Sequence, residues 1–320
     1  MAHHVLNASV DNCQWGFFDA KRPPVLSIKS GDTVTIDSVS GQPAFAPQAG
    51  SGFVVPAELV EIHEKATERG PGPHILTGPI AVEGAKPGHV LEVRIKSVTL
   101  RQNWAYNAVL PLAGVLPNDF DEPRILIIPI DMERKIAKLP WGVDLPLDAP
   151  FFGVMGVAPP PGWGRITTVM PRSMGGNLDN KDLGAGATLY LPVFNEGALF
   201  SCGDGHAAQG HGEVCVTAIE TALQGTFEFI LREDLTFTYP RAETATHYIT
   251  MGMDPDLDRC AEMAVRDMIA WLHEIAGLSK ADAYSFCSVA ADLHVTQAVN
   301  GSKGVHAMMP KALVQQVTSS

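Results

Sequence analysis

The sequence predicts a β-rich α+β fold: antiparallel β-sandwich or barrel-like sheets, with a late helical pair packed on them. Three observations carry this expectation. The 30 glycines and 24 prolines are spread along the chain without a period, as in a protein of many short elements divided by turns. Several segments alternate apolar and polar residues at the two-residue period of a half-buried strand. A helical period of 3.6 residues enters only after residue 256.

The clearest strand is 90–96, where Leu91, Val93 and Ile95 face one way and Glu92, Arg94 and Lys96 the other. Gly31-Asp32 leads into a strand at 33–36, much as Pro87-Gly88 leads into the strand at 90. Further strands are expected at 126–130, 187–194, 214–220, 226–231 and 235–239. In the last two, Phe227, Phe229, Leu231 and Leu235, Phe237, Tyr239 alternate, which predicts a hairpin across Arg232-Glu233-Asp234. From Leu257 to Ala276 the apolar positions keep helical spacing, with Asp256 as N-cap and Gly277 as stop. A second helix is expected after the cap Ser279, with Asp282 three residues on, running to about residue 291. A turn-rich stretch at Pro159-Pro160-Pro161-Gly162 divides the chain into parts 1–157 and 158–320, as two β-rich units or as one continuous fold.

The net charge of −12 and the lack of any Lys/Arg-rich run argue against a nucleic-acid partner. No window approaches the ~18 consecutive apolar residues of a membrane span, and Met1-Ala2-His3-His4-Val5 lacks the character of a leader peptide. The five cysteines are scattered, odd in number and free of C-x-x-C spacing, so reduced thiols in a cytoplasmic protein are expected.

The chemistry is expected in the second half. Two polar, glycine-rich loops, Gly175-Gly176-Asn177-Leu178-Asp179 and Gly203-Asp204-Gly205-His206, flank the apolar run 189–194. In extended backbone, residues i and i+2 project to the same side, so Asp204 and His206 converge on one cation, and Asn177 and Asp179 share that spacing. Four N/O donors suit a divalent metal, zinc or, given oxygen donors, calcium. The competing reading is that Asp and Asn in glycine-rich turns merely cap their own backbone. His211 and Glu213 lie just beyond and read as solvated or as supporting residues. Upstream, His74 precedes an apolar strand and Glu83 sits in an otherwise apolar one; such a carboxylate is a general-base candidate, or else marks a strand end facing water. The segments Asp292-Leu293-His294-Val295-Thr296-Gln297 and Gly304-Val305-His306 read as structural hydrogen-bonders. Cys202 reads as a buried, inert thiol. No G-x-S-x-G elbow, P-loop or H-E-x-x-H is present.

Several ordered segments together resemble the acetamidase/formamidase family. They include Gly175-Gly176-Asn177-x-Asp179, the run 189–194, Gly203-Asp204-x-His206-Ala207-Ala208-Gln209-Gly210 and Thr217-Ala218-Ile219-Glu220. Upstream and downstream, His74-x-Leu76-Thr77-Gly78-Pro79, Val82-Glu83-Gly84-Ala85, the run 151–156 and Asp292-x-x-Val295-Thr296-Gln297 extend the likeness. The chain departs from the pattern at His211, where an acid is expected, and at His294, where a basic residue is expected. The resemblance implies hydrolysis of short aliphatic amides to carboxylate and ammonia, in a homodimer or higher homo-oligomer. From the chemistry of the residues themselves, Asn177, Asp179, Asp204 and His206 are expected to hold the metal, with Glu83 or Glu213 as the base and His74 stabilising the oxyanion. Trp104, Tyr106, Phe151 or Phe152 would wall a small pocket. The alternatives are a hydrolase of larger amides, carbamates or imides, and a non-enzymatic β protein with a structural metal.

Overall fold

The computed structural model describes residues 1–318. Two large sheets face each other. The first has nine strands, in the order His3–Leu6, Thr33–Asp37, Leu223–Arg232, Val90–Leu100, Thr188–Pro192, Arg241–Glu243, His247–Asp254, Lys303–Pro310, Asp292–Gln297. The second follows the order Gly175–Asn177, Phe151–Gly156, Phe200–His206, Ile75–Val82, Cys13–Trp15, with Leu26–Ile28 parallel beside Ile75–Val82. A smaller four-stranded sheet is built from Trp104–Val109, Arg124–Asp131, Ile136–Leu139 and Val143–Pro146. Most pairings are antiparallel and the two large sheets pack as layers, as the glycine- and proline-punctuated pattern predicts. Both large sheets take strands from either side of residue 157.

The core lies between these sheets. Leu91, Val93 and Ile95 point into it with Phe227 and Phe229 from the neighbouring strand, and meet Phe152, Val154 and Phe200 of the opposite sheet. Phe152 packs edge-on to Phe227 at 5.4 Å between centroids, and Phe200 to Phe229 at 5.1 Å. On the outer face of the strand at 90, Glu92 is buried although the alternation puts it with Arg94 and Lys96. Arg94 at 2.7 Å and Arg232 at 2.7 Å pair with its two oxygens and make that burial tolerable.

The helical pair lies where expected. Leu257–Ala276 starts at Asp256, whose side chain accepts from Asp258 N, and stops at Gly277 in the left-handed region. Lys280–Ala290 starts at Ser279, which accepts from Asp282 N. Cys260, Ala264, Met268 and Leu272 pack with Ala283 against Val305, Ala307 and Met309 of the strand next to the edge of the nine-stranded sheet. The helix comes so close that a Cβ on Gly252 would sit 1.9 Å from the Cys260 carbonyl oxygen. Gly252→Ala is therefore expected to destabilise the protein by about 1–3 kcal/mol, read as a lower midpoint in denaturant with an unchanged slope.

Two expected strands are not formed. Residues 214–220 are an irregular loop, because Glu213 and Val216 take positive φ and Val216 N turns back to Glu213 O. Residues 235–239 do not pair either, so there is no hairpin across 232–234. Arg232 instead grips Asp234 and Glu92, and Phe237 packs edge-on to Tyr190 and under the Arg241 guanidinium. Two helices were not anticipated, Ala57–Lys65 and Lys311–Thr318. Each buries only one or two apolar residues, too few to leave a period in the sequence. Among the described residues no helix is long and apolar enough to cross a membrane.

Candidate active site

The strand Phe200–His206 runs antiparallel to Phe151–Gly156, with Phe151 opposite His206 and Val154 opposite Gly203. Asp204 and His206, two apart, project together toward Gly153 of the neighbouring strand. A Cβ there would lie 2.4 Å from Asp179 Oδ1, 2.6 Å from Asp204 Oδ2 and 2.9 Å from His206 Cε1. Only a residue with no side chain leaves that space open. The backbone is also unusual: Asp179, Asp204 and Glu213 all have positive φ, which costs energy in non-glycine residues and aims their carboxyl groups inward.

Within the cluster, His206 Nε2 lies 3.2 Å from Glu220 Oε2, 3.4 Å from Asp204 Oδ2 and 3.9 Å from Glu213 Oε1. Asp179 Oδ1 lies 3.9 Å from His206 Nδ1. The orientation of His206 is set from behind. Its Nδ1 donates to Gln209 Oε1 at 2.8 Å, and Gln209 Nε2 donates to Asp179 O, which fixes the amide and turns Nε2 of the imidazole toward the acids. Phe151 packs edge-on to the same ring at 5.0 Å. Asn177 Nδ2 donates to Val169 O and its Oδ1 is left without a partner; Asn300 Nδ2 donates to Asp179 Oδ2. His74 approaches with Nε2 3.7 Å from Asp204 Oδ2, its other nitrogen 3.0 Å from Thr168 Oγ1.

Burial and mutual repulsion govern the charges. Burial, with Asp204 and Glu220 beside it, pushes the Asp179 carboxyl up to about 7 against the pull of His206. Burial, and then Asp179, raises Glu213 well above the carboxylate range; burial and Asp204 raise Glu220. Burial opposes the charged form of Asp204 too, but His74 and His206 outweigh it and hold that carboxyl low. Burial works against a charged His206, yet Glu220 and Asp204 overcome it and raise the imidazole well above its ordinary value. The site thus gathers more negative charge than its one buried imidazole can neutralise.

Five buried polar atoms here have no hydrogen-bond partner: Asn177 Oδ1, Asp179 Oδ1, His206 Nε2, Glu213 Oε2 and Glu220 Oε2. Buried polar atoms are ordinarily paired. All five are atoms of the kind that binds a divalent cation; Asp179 meets Asp204 and His206 at the space left by Gly153, and Glu213 and Glu220 approach His206 on its Nε2 side. The donor set fits a metal.

The cluster forms the floor of a cavity of about 200 Å³. Asn177, Asp179, Asp204, Glu213, Glu220, Asn300 and His74 supply its polar side; Val39, Phe45, Tyr106, Leu110 and Val169 supply an apolar wall. Of the residues the sequence singled out, the structure brings Asn177, Asp179, Asp204, His206, Glu213 and His74 together. Glu83 is not among them. The strand ends at Val82, and Glu83 is exposed in the following turn beside Lys29 and Asp32, outside the cavity and away from the cluster. Of the aromatic wall, only Tyr106 lines the cavity. Trp104 is buried behind it and donates to Val54 O, Phe151 backs His206, and Phe152 belongs to the core. Glu220, Asn300 and Gln209 were missed as site residues. Glu220 and Gln209 stood in segments that carried the family resemblance, but no spacing rule marks them. Asn300 lies 121 positions from Asp179, a separation no local pattern spans.

A layered β fold with a buried acid-and-imidazole centre, open to a small cavity, is the architecture of a small-molecule enzyme site rather than of a binding surface for macromolecules. The chain belongs to the acetamidase/formamidase family: the family's sequence profile matches residues 22–162 and 164–316. It is 30% identical over 200 residues to a formamidase of Methylophilus methylotrophus, covering 47% of this chain and 49% of that protein. The chain thus spans about half the length of the curated formamidases it matches. It is similar in structure to a predicted acetamidase/formamidase of Thermoanaerobacter tengcongensis, with a TM-score of 0.85, 28% identity and 99% of both chains covered. An acetamidase of Bacillus halodurans gives a TM-score of 0.83 at 30% identity, covering 98% of this chain and 99% of that one.

Proposed function

We propose that this protein hydrolyses short aliphatic amides to carboxylate and ammonia, with a divalent cation held by Asn177, Asp179, Asp204 and His206. The observation that carries the reading is the set of unpartnered buried donor atoms in the cluster at the cavity floor, beside the opening at Gly153. Glu220, absent from the set expected from sequence, adds a further oxygen to it. When bound, such a cation supplies Lewis acidity to a carbonyl oxygen and increases the acidity of water. The family membership and the names of its relatives support the amide class.

The chain's own groups do the rest. Glu213, with its raised proton affinity and an oxygen free, accepts a proton from the attacking water and passes it to the departing nitrogen, which must leave as an amine. His74 at the cavity edge presents its Nε2 hydrogen to the oxygen of the tetrahedral intermediate. The apolar wall of Val39, Phe45, Tyr106 and Leu110 receives the acyl substituent. A cavity of about 200 Å³ falls below the ~300 Å³ at which pockets begin to take drug-sized ligands, which favours formamide- and acetamide-sized substrates over larger amides or imides. One imidazole among oxygen donors suits zinc, with calcium as the alternative; elemental analysis of the purified protein separates them.

The direct test is ammonia release. Asp204→Asn and His206→Asn are each expected to cut turnover of formamide and acetamide at least ~1,000-fold in folded protein, and wild-type rates in either would overturn the reading. The raised carboxyls also set a pH dependence. Protons and cation compete for the same lone pairs, so affinity for the divalent ion is expected to weaken as pH falls below about 7, where Asp179 takes up its proton. Calorimetric titrations in buffers of different ionisation enthalpy read the protons released on binding; a pH-independent affinity between 5 and 8 would contradict this.

A further inference from the structure

A second group of potential ligands lies outside the cavity and takes no part in the proposed reaction. His211 comes from the loop after Phe200–His206, while His294 and His306 face each other across the antiparallel strands Asp292–Gln297 and Lys303–Pro310. The three imidazoles each offer a nitrogen within 4.8 Å of the others. His294 Nδ1 is 2.9 Å from His211 Nε2, and their ring centroids are 4.6 Å apart. Asp182 lies beside two of the three, with Oδ2 3.1 Å from His306 Nε2 and 4.0 Å from His211 Nε2. His306 is wholly buried, and its other nitrogen meets Thr296 Oγ1 at 2.7 Å. The loop itself is anchored, since Gly212 N donates to Thr296 O and Ala298 N donates to Gly212 O.

We propose that His211, His294, His306 and Asp182 form a second, structural site for a zinc-class transition-metal ion. Four donors around a tetrahedral ion with bonds of about 2.0–2.1 Å stand roughly 3.3 Å from one another. The distances of 2.9, 3.1 and 4.0 Å bracket that value for three of the six pairs, and the three imidazole nitrogens lie within 4.8 Å of one another, so binding draws the set inward by side-chain rotations on the order of 1–2 Å. Three imidazoles and one carboxylate select zinc, copper or nickel over calcium or magnesium. The metal-free arrangement holds protons where the ion would sit. One is shared between His211 and His294, and one, on His306 Nε2, points at the Asp182 carboxylate, which can only accept. Binding displaces both: the shared proton shifts to the other nitrogen of its own ring, and the His306 proton moves to Nδ1, where Thr296 Oγ1 accepts it, the outer hydrogen bond that ligating histidines typically make. The consequence is mechanical. One ion would tie together the loop of Glu213, the loop of Asp179, and the hairpin whose turn carries Asn300.

This inference stands apart from the proposed reaction, and its test does not read activity. Chelator-stripped protein is titrated with Zn²⁺ by calorimetry, and with Co²⁺ by visible absorption, which reports tetrahedral coordination. His211→Asn/His294→Asn, both at partly exposed positions, is expected to bind one equivalent fewer than wild type, or to hold that equivalent at least ~100-fold more weakly. The zinc-induced rise in Tm should shrink with it. Asp204→Asn/His206→Asn, which disables the cavity centre, is expected to keep one zinc equivalent and the tetrahedral cobalt spectrum. Equal stoichiometry and affinity in wild type and the His211/His294 variant would overturn the proposal, as would the absence of any bound zinc in the Asp204/His206 variant.

Discussion

Gly153→Ala is expected to abolish amide turnover while leaving the protein folded. The residue lies in the regular strand Phe151–Gly156, where an alanine backbone is unstrained, so the effect of the added methyl is local. That methyl would occupy the point where Asp179, Asp204 and His206 converge, within 2.4 Å of the nearest oxygen. The carboxylates would have to part, and a cation needs them within about 2.0–2.2 Å of itself. A loss of at least ~1,000-fold in kcat/KM is expected, equivalent to about 4 kcal/mol of transition-state stabilisation. Ammonia assays, metal content and circular dichroism should be run on one preparation. Turnover within threefold of wild type would mean that the convergence at Gly153 is unrelated to function.

Glu213→Gln separates base from ligand. The amide keeps the shape of the side chain but cannot take a proton, so kcat is expected to fall by about 10²–10⁴ while the bound-metal equivalents stay unchanged. Asp179→Asn should do the reverse first, weakening metal retention and lowering activity in proportion. The pH profile adds a second reading. A base must be deprotonated to act, and burial raises Glu213, so wild-type activity should decline on the acid side of its profile. That limb should flatten in the residual activity of Glu213→Gln. A parallel loss of metal and rate in Glu213→Gln would reassign it as a ligand, leaving the proton to another polar group of the cavity such as His74 or Glu220.

What was legible in the sequence follows from the range of each physical signal. Asp256, Ser279 and Gly277 mark helix ends through contacts within a few residues, and all three were readable. The alternation at 90–96 survives because one face of that strand packs in the core. Alternation misled at 235–239, where Phe237 is apolar for a different reason, covering Tyr190 and Arg241 outside any ladder. At 214–220 the pattern was real but two positive-φ residues broke the backbone, and no side-chain periodicity reports that. In the site, Asp204-x-His206 was readable because i, i+2 geometry is local. Glu83 misled because its apolar neighbours end one residue earlier than the pattern implies. Gly153 was invisible for the opposite reason: its role is to leave space, and a glycine between Phe152 and Val154 looks like any other weak point in a strand.

The order of strands in the nine-stranded sheet has a consequence for how the chain is made. Leu223–Arg232 sits between Thr33–Asp37 and Val90–Leu100, so the first hundred residues have no central partner until residue 232 is synthesised. At about 5–20 residues per second that wait lasts roughly 7–26 s. Meanwhile Val34, Ile36, Leu91, Val93 and Ile95, all buried in the finished sheet, face solvent or whatever holdase meets the ribosome exit. A nascent chain paused before codon 223 should thus be protease-sensitive through its first strands, and one released past codon 232 should resist.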